Sequence, residues 1–576
     1  MSFGARVRLS VLVSLLLSSV AAFAHVTGNV GLAPILPPNT PGIDNPFPND
    51  PEKFSFAVVG DKTGGGEKNW PIFDRVLDEI SRLRPDFAIM VGDLIQGYTK
   101  DVEVIESQWA EFRDHAGRIE IPFFFLPGNH DISNKEMYDF WESNVGKTYY
   151  SFRYKNSHFI LLNTEEGWRN GEETFGSEQL EWLRKDIEAN RDAAHRFLFM
   201  HRPVWYHKGE SYAQWEQIEE WLSGLSYTVF AGHFHRLSYE MRRNRPYYVL
   251  SASGAGLQPT EALEMGRFFH YTVVTVDGED VYVAIVEPGK VHPSNIATRE
   301  FQEKAGGIAK WTADVAIDGA AIRGVVRVTV ENPFEKEVTL DIAFRTEEAS
   351  GWKVEPSTAS ETVAPGEATE VLFTLTSDIE KALPLPTYSA TIRYGGKEMF
   401  QQNGTAAPPT VPIETWNVVG PFDLGVQSPP KDGTCLPAFA EPLPPERDPD
   451  PTATYAKGDG AVEWREATTR RDGFLDLNGI YPGDFSIGIG LAYIYSPDAR
   501  TVFADIQTDD LARVLVNGEP VVPSIGLSRR PTVFLMTLEP GWNAVLVKCA
   551  DYTGDWGYRL RVQNPRGDLR FATRPE

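Results

Sequence analysis

Cysteine, positive charge and long apolar runs are all scarce in this chain of 576 residues. Its 80 acidic residues outnumber the 55 basic ones, which gives a formal net charge of -25. That charge disfavours nucleic acid and anionic membrane surfaces as general partners. No apolar run reaches the roughly 20 residues that a membrane-spanning helix needs. We therefore predict no membrane span, and a site for phosphate would have to supply its positive charge locally.

The first 24 residues contain, in sequence, the three parts of a secretory signal peptide. Two arginines precede an apolar segment at 9–20, and the small-x-small sequence Ala-Phe-Ala follows at 22–24. Residues 1–24 are thus predicted to be a signal peptide, and the protein is predicted to be exported, either periplasmic or secreted. Export would permit a disulfide between the only two cysteines, Cys435 and Cys549, but the sequence leaves its formation open.

The length of the chain predicts several domains. Residues 25–52 are rich in proline and predict an extended linker. Residues 53–300 alternate apolar strand-like runs with helical patterns, which indicates an α/β layered domain. Beyond that point helical patterns largely vanish, and alternating apolar residues predict an immunoglobulin-like β-sandwich at 308–402. A second all-β unit, a jelly-roll-like sandwich, is predicted at 411–576, where Asn-Gly at 517–518 indicates a hairpin.

Five short motifs in the α/β region each follow an apolar strand-like run. They are Gly60-Asp61, Gly92-Asp93, Gly128-Asn129-His130-Asp131, Met200-His201-Arg202 and Gly232-His233-Phe234-His235. Side chains at strand ends can converge on one point from distant parts of a chain. Together they offer a mixed set of nitrogen and oxygen ligands, which suits a pair of divalent transition ions. The sequence therefore predicts a metal-dependent hydrolase.

The order of these motifs resembles that of the calcineurin-like metallophosphoesterase superfamily, and the resemblance covers residues 54–286. It implies a two-sheet α/β/β/α sandwich that holds two divalent ions, which could be Mn, Mg, Fe or Zn. It also implies hydrolysis of a small phosphate ester, a monoester or a diester, through a metal-activated water.

The resemblance assigns a role to each matching residue. Asp93 would bridge both ions, Asp61 and His235 would hold the first ion, and His130 would stabilise or protonate the leaving oxygen. The ligands of the second ion would be Asn129, His201 and His233.

The first motif departs from the family pattern, because Thr63 stands where a ligand histidine is expected. A subset of bacterial members has a similar Asp-Arg-Thr-Gly-Gly turn. A neutral hydroxyl is a weak ligand, so the first ion should be bound less tightly, and Mg²⁺, Mn²⁺ or Ca²⁺ would tolerate this better than Zn²⁺. Thr63 and Arg202 are candidates for substrate binding, although Arg202 could equally pair with a carboxylate. Asp131 is expected to be an N-terminal residue of a helix over 133–141.

The last unit resembles the β-sandwich accessory domains of bacterial exported sugar hydrolases, some of which bind carbohydrate. Three aromatic residues of this unit could stack on sugar rings: Trp542, Trp556 and Tyr558. Aromatic residues in a small sandwich are, however, more often packed in its core. These features support an alternative function, in which a catalytically weakened or inactive phosphoesterase domain is part of a carbohydrate- or surface-binding protein.

Overall fold

The computed structural model describes residue 50 and residues 52–575, apart from 168–173, 207–208, 427, 429–436, 458–459 and 527–529. The predicted signal peptide, nearly all of the predicted linker and Cys435 lie outside the described residues. The chain divides into two compact units. The first comprises residues up to Gly307 with Lys397–Met399, and the second comprises the remainder. The finer domain boundaries given above stay a prediction.

Two six-stranded sheets form the framework of the first unit. One has the order β12-β11-β10-β1-β2-β3 and the other β4-β5-β6-β7-β9-β8. The strands are β1 Lys53–Val59, β2 Phe87–Met90, β3 Phe123–Phe125, β4 Tyr150–Tyr154, β5 Ser157–Leu161, β6 His195–Phe199, β7 Tyr227–Ala231, β8 Ser238–Arg242, β9 Arg245–Val249, β10 Tyr271–Asp277, β11 Asp280–Glu287 and β12 Lys290–Pro293.

Helices cover the outer face of each sheet. Apolar residues of α1, α2 and α3 pack on the first sheet, and those of α4 and α5 pack on the second. The helices are α1 Trp70–Leu83, α2 Val102–Ala116, α3 Lys135–Asn144, α4 Ser177–Ala189, α5 Glu210–Trp221 and α6 Arg299–Gly306, with short 3₁₀ turns at Glu67–Asn69, Val204–Tyr206 and Leu263–Met265. The predicted α/β/β/α sandwich is confirmed.

Strand β1 shows why the sheets stack in this way. Phe54, Phe56 and Val58 point into the core between the two sheets, while Ala57 and Val59 point towards the helices. Successive side chains of a strand face opposite sides, so a run that is apolar throughout is buried on both. Aromatic contacts fill the central core, for example Phe56 against Phe197 with ring centroids 4.9 Å apart.

The second unit is built from β-sheets, as predicted. Two four-stranded sheets come first, in the orders β13-β14-β18-β16 and β17-β15-β19-β20. Phe344 and Phe373, one from each sheet, meet with ring centroids 4.7 Å apart. The strands are β13 Ala309–Asp318, β14 Ala321–Glu331, β15 Val338–Arg345, β16 Lys353–Glu355, β17 Thr358–Val363, β18 Ala368–Asp378, β19 Thr387–Tyr394 and β20 Lys397–Thr405, with a 3₁₀ turn at Ile379–Lys381.

Two larger sheets follow, of five strands and of seven. Their main paths are β21-β33-β28-β31 and β25-β22-β27-β32-β29-β30; β26 pairs with β33, β34 pairs with β27, and β23 and β24 form a hairpin. The elements are β21 Val411–Pro412, β22 Thr415–Asp423, α7 Pro437–Ala440, α8 Pro444–Arg447, β23 Thr454–Lys457, β24 Gly460–Glu463, β25 Arg465–Thr468, β26 Leu475–Asp476, β27 Ser486–Ser496, β28 Arg500–Asp509, β29 Leu511–Val516, β30 Glu519–Ile525, β31 Thr532–Leu538, β32 Gly541–Ala550, β33 Gly557–Val562 and β34 Arg570–Ala572.

The three aromatic residues considered for sugar stacking have different environments. Trp556 and Tyr558 are fully buried in the core of this last region. Trp542 is half-buried and meets Tyr495 with ring centroids 5.5 Å apart.

Cys549 is buried and forms no disulfide among the described residues. Within the described part of the chain, no helix is long and apolar enough to cross a membrane.

Candidate metal centre

The five motifs meet at one edge of the two-sheet framework. Strands β1, β2 and β3 run parallel in the first sheet, and β6 and β7 run parallel in the second. Neighbouring parallel strands bring their carboxyl ends to the same edge, so the segments that follow them can share one site. Those segments carry the predicted metal ligands.

Glycine precedes the key residues because the backbone and side chains crowd together here. Gly92 has φ 94°, and a Cβ there would lie 2.7 Å from His201 Nδ1. A Cβ on Gly128 would lie 2.3 Å from Asp93 Oδ1. Neither position can accept a side chain without moving a proposed ligand.

Three of the proposed ligands adopt left-handed backbone conformations, with φ of 57° at Asp93, 73° at His233 and 48° at His235. Such values are uncommon outside glycine, although Asp and His tolerate them better than most residues. Local strain of this kind clusters at functional sites, where the surrounding structure compensates for it. The backbone conformation therefore marks the same residues as the motifs do.

One group of donor atoms surrounds His201 Nε2. Asn129 Oδ1 lies 2.9 Å from this nitrogen, His233 Nδ1 3.1 Å and Asp93 Oδ1 3.3 Å. The donor atoms of Asp93, His201 and His233 all lie within 4.8 Å of one another. The structure thus brings together the four residues that were predicted to hold the second ion.

A second group lies around Asp61 and shares Asp93 with the first. Asp61 Oδ2 lies 3.2 Å from His235 Nε2 and accepts a hydrogen bond of 2.8 Å from the backbone N–H of His233. Asp61, Asp93 and His235 again place donor atoms within 4.8 Å of one another. Asp93 belongs to both groups, which is the position that a bridging ligand requires.

Backbone carbonyls orient two of the imidazoles. His201 Nδ1 lies 2.9 Å from the Val91 carbonyl oxygen, and His235 Nδ1 lies 2.8 Å from that of Gly256. In each ring Nδ1 donates its proton to the carbonyl, so Nε2 faces the centre. Such bonds fix the tautomer and the orientation of histidines that bind metal.

The electrostatics of the centre follow from its burial and its mixed charges. Burial opposes a charged imidazole at His201, but the carboxylates of Asp93, Asp61 and Glu165 together outweigh it and raise the pKa of His201 to about 10. Burial also opposes ionisation of Asp93, yet His201 and His130 hold the pKa of Asp93 well below its usual range. For His233, burial together with His201 and Arg202 lowers the pKa to about 3. His233 is therefore neutral, as a metal ligand must be.

The donor set fits a pair of divalent ions. Asp61 Oδ1 is buried and accepts no hydrogen bond among the described residues, although an isolated buried carboxylate oxygen is costly. A cation nearby would remove that cost. Carboxylate, amide and imidazole donors together suit Mn²⁺, Zn²⁺ or Fe²⁺, and the carboxylates also suit Mg²⁺.

Thr63 contacts the loop that carries Asp93. Its hydroxyl lies 2.9 Å from the carbonyl oxygen of Asp93 and 2.5 Å from that of Ile95, and donates its single proton between them. The residue is almost fully buried. These contacts make Thr63 a support for the second motif, and they give the ligand-like and substrate-binding roles considered from the sequence no support.

Asp131 does not cap a helix, so that prediction was wrong. Helix α3 begins at Lys135, and Asn134 is its N-cap. Asp131 is fully buried and accepts four backbone N–H bonds, from Asp93 and Gly128 at Oδ2 (2.7 and 2.8 Å) and from Leu94 and Ile95 at Oδ1 (2.9 and 3.1 Å). The carboxylate thus ties the second motif to the third. Sequence spacing alone could not distinguish this role from a local cap.

Arg202 pairs with a carboxylate, which was one of its two predicted alternatives. Its Nε lies 2.8 and 3.0 Å from the two carboxylate oxygens of Glu165, and its Nη1 lies 3.3 Å from His233 Nε2. Glu165 is buried and lies outside the five motifs, so the sequence analysis did not indicate it. The pair holds the Arg202 guanidinium beside the donor group around His201.

His130 follows the proposed ligand Asn129 and is half-buried. Its Nδ1 lies 2.7 Å from the carbonyl oxygen of Gln96, and the ring packs edge-on against Tyr98 with centroids 4.7 Å apart. Tyr98 also accepts a hydrogen bond of 3.0 Å from the Asn129 amide nitrogen. These contacts orient the imidazole with Nε2 directed away from Gln96, and Tyr98 is a further contact that the motifs did not indicate.

A four-layer α/β sandwich with this donor set at its strand ends defines a metallophosphoesterase-like fold. The family model for calcineurin-like phosphoesterases matches residues 54–237, so this part of the chain is a calcineurin-like phosphoesterase domain. No curated protein matches the chain.

Several solved structures are similar to this chain. GAP50, the anchor in the inner membrane complex of Plasmodium, is 15% identical, with 44% of this chain and 93% of that chain covered and a TM-score of 0.34. A dimetal phosphatase from Danio rerio is 14% identical, with 43% and 100% covered and a TM-score of 0.34. A 5'-nucleotidase from Candida albicans is 11% identical, with 43% and 55% covered and a TM-score of 0.28. At these values none of them assigns an activity to this chain.

Proposed function

We propose that the protein is an exported, metal-dependent phosphoesterase that hydrolyses a phosphomonoester or a phosphodiester. One observation carries the proposal: two groups of donor atoms share Asp93 at the ends of parallel strands. When bound there, two divalent ions would supply the Lewis acidity that activates a water and neutralises the phosphate oxygens. Periplasmic or secreted location is part of this proposal and is supported by the sequence of residues 1–24.

The chain's own residues would position the ester and move a proton. Nδ1 of His130 donates its proton to the Gln96 carbonyl, so the imidazolium form of the ring carries its second proton on Nε2, from which it can pass to the leaving oxygen. Arg202 holds its guanidinium beside His233 through its pair with Glu165, where it adds to the positive charge felt by an anionic substrate.

The test compares Asp93→Asn with Asp139→Asn in the full chain. Asp139 is a matched control, because it lies on the surface of α3 and, among the described residues, its carboxylate pairs with Lys135 one helical turn away. Metal content would be measured first, and then hydrolysis of an aryl phosphomonoester and a bis-aryl phosphodiester with Mn²⁺, Mg²⁺ or Zn²⁺. Asp93→Asn should reduce both turnover and metal content, with turnover falling roughly a hundredfold or more, whereas the control should match the wild type.

The results separate the proposal from its alternative. Full activity in Asp93→Asn would refute a site that depends on a shared carboxylate. Metal binding by the wild type without hydrolysis of either ester would instead favour the alternative, an inactive domain in a carbohydrate- or surface-binding protein. For that alternative, Trp542 is the one of the three aromatic candidates that keeps an exposed face.

A further inference from the structure

A pocket of about 580 Å³ lies next to the metal centre. It begins at His235, whose imidazole also belongs to the donor group of Asp61. Its other walls include Arg236, Arg267 and Gln258, together with the rings of Tyr206 and Phe234. A molecule that reacts at the metal centre could therefore extend into this pocket without leaving the protein surface.

Among the described residues, the two arginines of the pocket make no direct contact with a carboxylate, and Glu303 acts on Arg236 from beyond ion-pair distance. The Nε of Arg236 is buried and makes no hydrogen bond among the described residues. Neither Arg236 nor Arg267 forms an ion pair within the described part of the chain, whereas the nearby Arg299 pairs with Glu240 and Glu303. In a chain with a net charge of -25, carboxylates are abundant, so two guanidinium groups left without one are unexpected. Both residues are half-buried, so each guanidinium loses part of its contact with water without gaining a carboxylate in exchange.

The aromatic wall of the pocket is held in place. The Tyr206 hydroxyl donates a hydrogen bond of 2.8 Å to Ser238 Oγ, and the guanidinium of Arg299 lies 4.0 Å from the centre of the Tyr206 ring. Phe234 packs edge-on against Tyr206 with centroids 5.2 Å apart. A fixed apolar wall beside two guanidinium groups suits a ligand with a carbon skeleton and an anionic end.

We propose that this pocket binds the part of the substrate that lies beyond the reacting phosphate, and that this part carries a second anionic group held by Arg236 and Arg267. The inference rests on the proposed function, because it places the reacting phosphate at the metal centre. Guanidinium groups bind carboxylate, sulfate and phosphate through paired N–H donors, so the chemistry of the second group is that of an oxyanion. Phosphate esters with an uncharged leaving group would then bind less tightly than esters of equal length that carry a second oxyanion, while remaining substrates.

The experiment measures binding, so that it does not depend on turnover. Calorimetric titration of the Mn²⁺-loaded full chain would compare alkylphosphonates with ω-carboxyalkylphosphonates of equal length, for chains of two to five methylene groups. These phosphonates cannot be hydrolysed, and each pair differs by one carboxylate. We expect the carboxylate to tighten binding about tenfold at the best length, which is the effect of a hydrogen bond to a charged group.

Variants assign the effect to the pocket. Arg267→Gln and Arg236→Gln should each reduce the advantage of the carboxylate to about threefold or less, while the affinity for the plain alkylphosphonate stays near that of the wild type. Arg184→Gln, which changes an exposed arginine on α4, is the matched control and should keep the full advantage.

Other outcomes overturn the inference in distinguishable ways. If the carboxylate adds nothing at any length while Mn²⁺ still promotes phosphonate binding, the pocket does not bind a second anion and the proposed function survives. If Arg267→Gln weakens both members of a pair equally, the arginine binds the reacting group, which also refutes the inference. Carboxylate-dependent binding that is unchanged by removing Mn²⁺ would show an anion site separate from the substrate site and would count against both proposals.

Discussion

Asp131 provides the sharpest test of how the metal centre is built. The substitution Asp131→Asn keeps the shape of the side chain but leaves one oxygen, so only one of its two pairs of backbone N–H groups keeps an acceptor. The amide nitrogen of the new asparagine would face the backbone N–H groups of either Asp93 and Gly128 or Leu94 and Ile95, and it cannot accept their hydrogen bonds. Each buried N–H without an acceptor costs about 1–3 kcal/mol, so the two together cost roughly 2–6 kcal/mol.

An opposing effect reduces this cost. Burial and the neighbouring Asp93 carboxylate raise the pKa of Asp131, while its N–H donors act in the other direction. Removing the carboxylate relieves part of that repulsion. We expect a net loss of about 2 kcal/mol in the local stability of the loop, which corresponds to roughly thirtyfold faster hydrogen exchange.

The assay is hydrogen exchange of the segment 92–97, followed by mass spectrometry of the metal-free full chain. A Mn²⁺ titration of the same variant should show about tenfold to a hundredfold weaker binding, since the carboxylate positions Asp93 and the third motif. Asp101→Asn is the control, because Asp101 is the exposed N-cap of α2 and asparagine caps equally well. Wild-type exchange rates at Leu94 and Ile95 in Asp131→Asn would refute the reasoning.

Two further predictions concern the same centre. Because the pKa of His201 is raised to about 10 in the metal-free protein, its imidazole is protonated at neutral pH and must release that proton before Nε2 can bind an ion. The pKa of His235 is raised as well, by Asp61, so Mn²⁺ affinity should rise at least about tenfold per pH unit between roughly pH 6.5 and 8, as measured by titration. An affinity independent of pH would contradict this assignment. Thr63→Val should remove the hydroxyl bonds to the carbonyls of Asp93 and Ile95 and destabilise the loop by about 1–2 kcal/mol, again seen as faster exchange of 92–97. Thr63→Ser is the control and should retain most of the protection of segment 92–97 from hydrogen exchange. Equal exchange in Thr63→Val and the wild type would show that the Thr63 hydroxyl does not stabilise this loop.

The sequence by itself determined the class of fold and the identity of the proposed ligands. Apolar runs such as Phe54–Val59 predict strands buried on both faces, because no polar residue interrupts them except Ser55. Gly-Asp and Gly-His pairs directly after such runs predict polar side chains at strand ends. These patterns are local, so they could be read without knowing which strands are neighbours.

Tertiary structure decided everything that depends on contacts between distant segments. Asp131 accepts hydrogen bonds from the backbone N–H groups of Asp93 and Leu94, which lie nearly forty positions earlier in the sequence. The buried Glu165 likewise orients Arg202 through an ion pair. Neither contact has a periodic or motif signature, since it arises only when separate loops meet at one sheet edge. The same holds for Thr63: its residue type suggested a weak ligand, but its hydroxyl lies against the next loop and binds the carbonyls there. A side chain's partner depends on where folding places it, and residue type alone does not specify that.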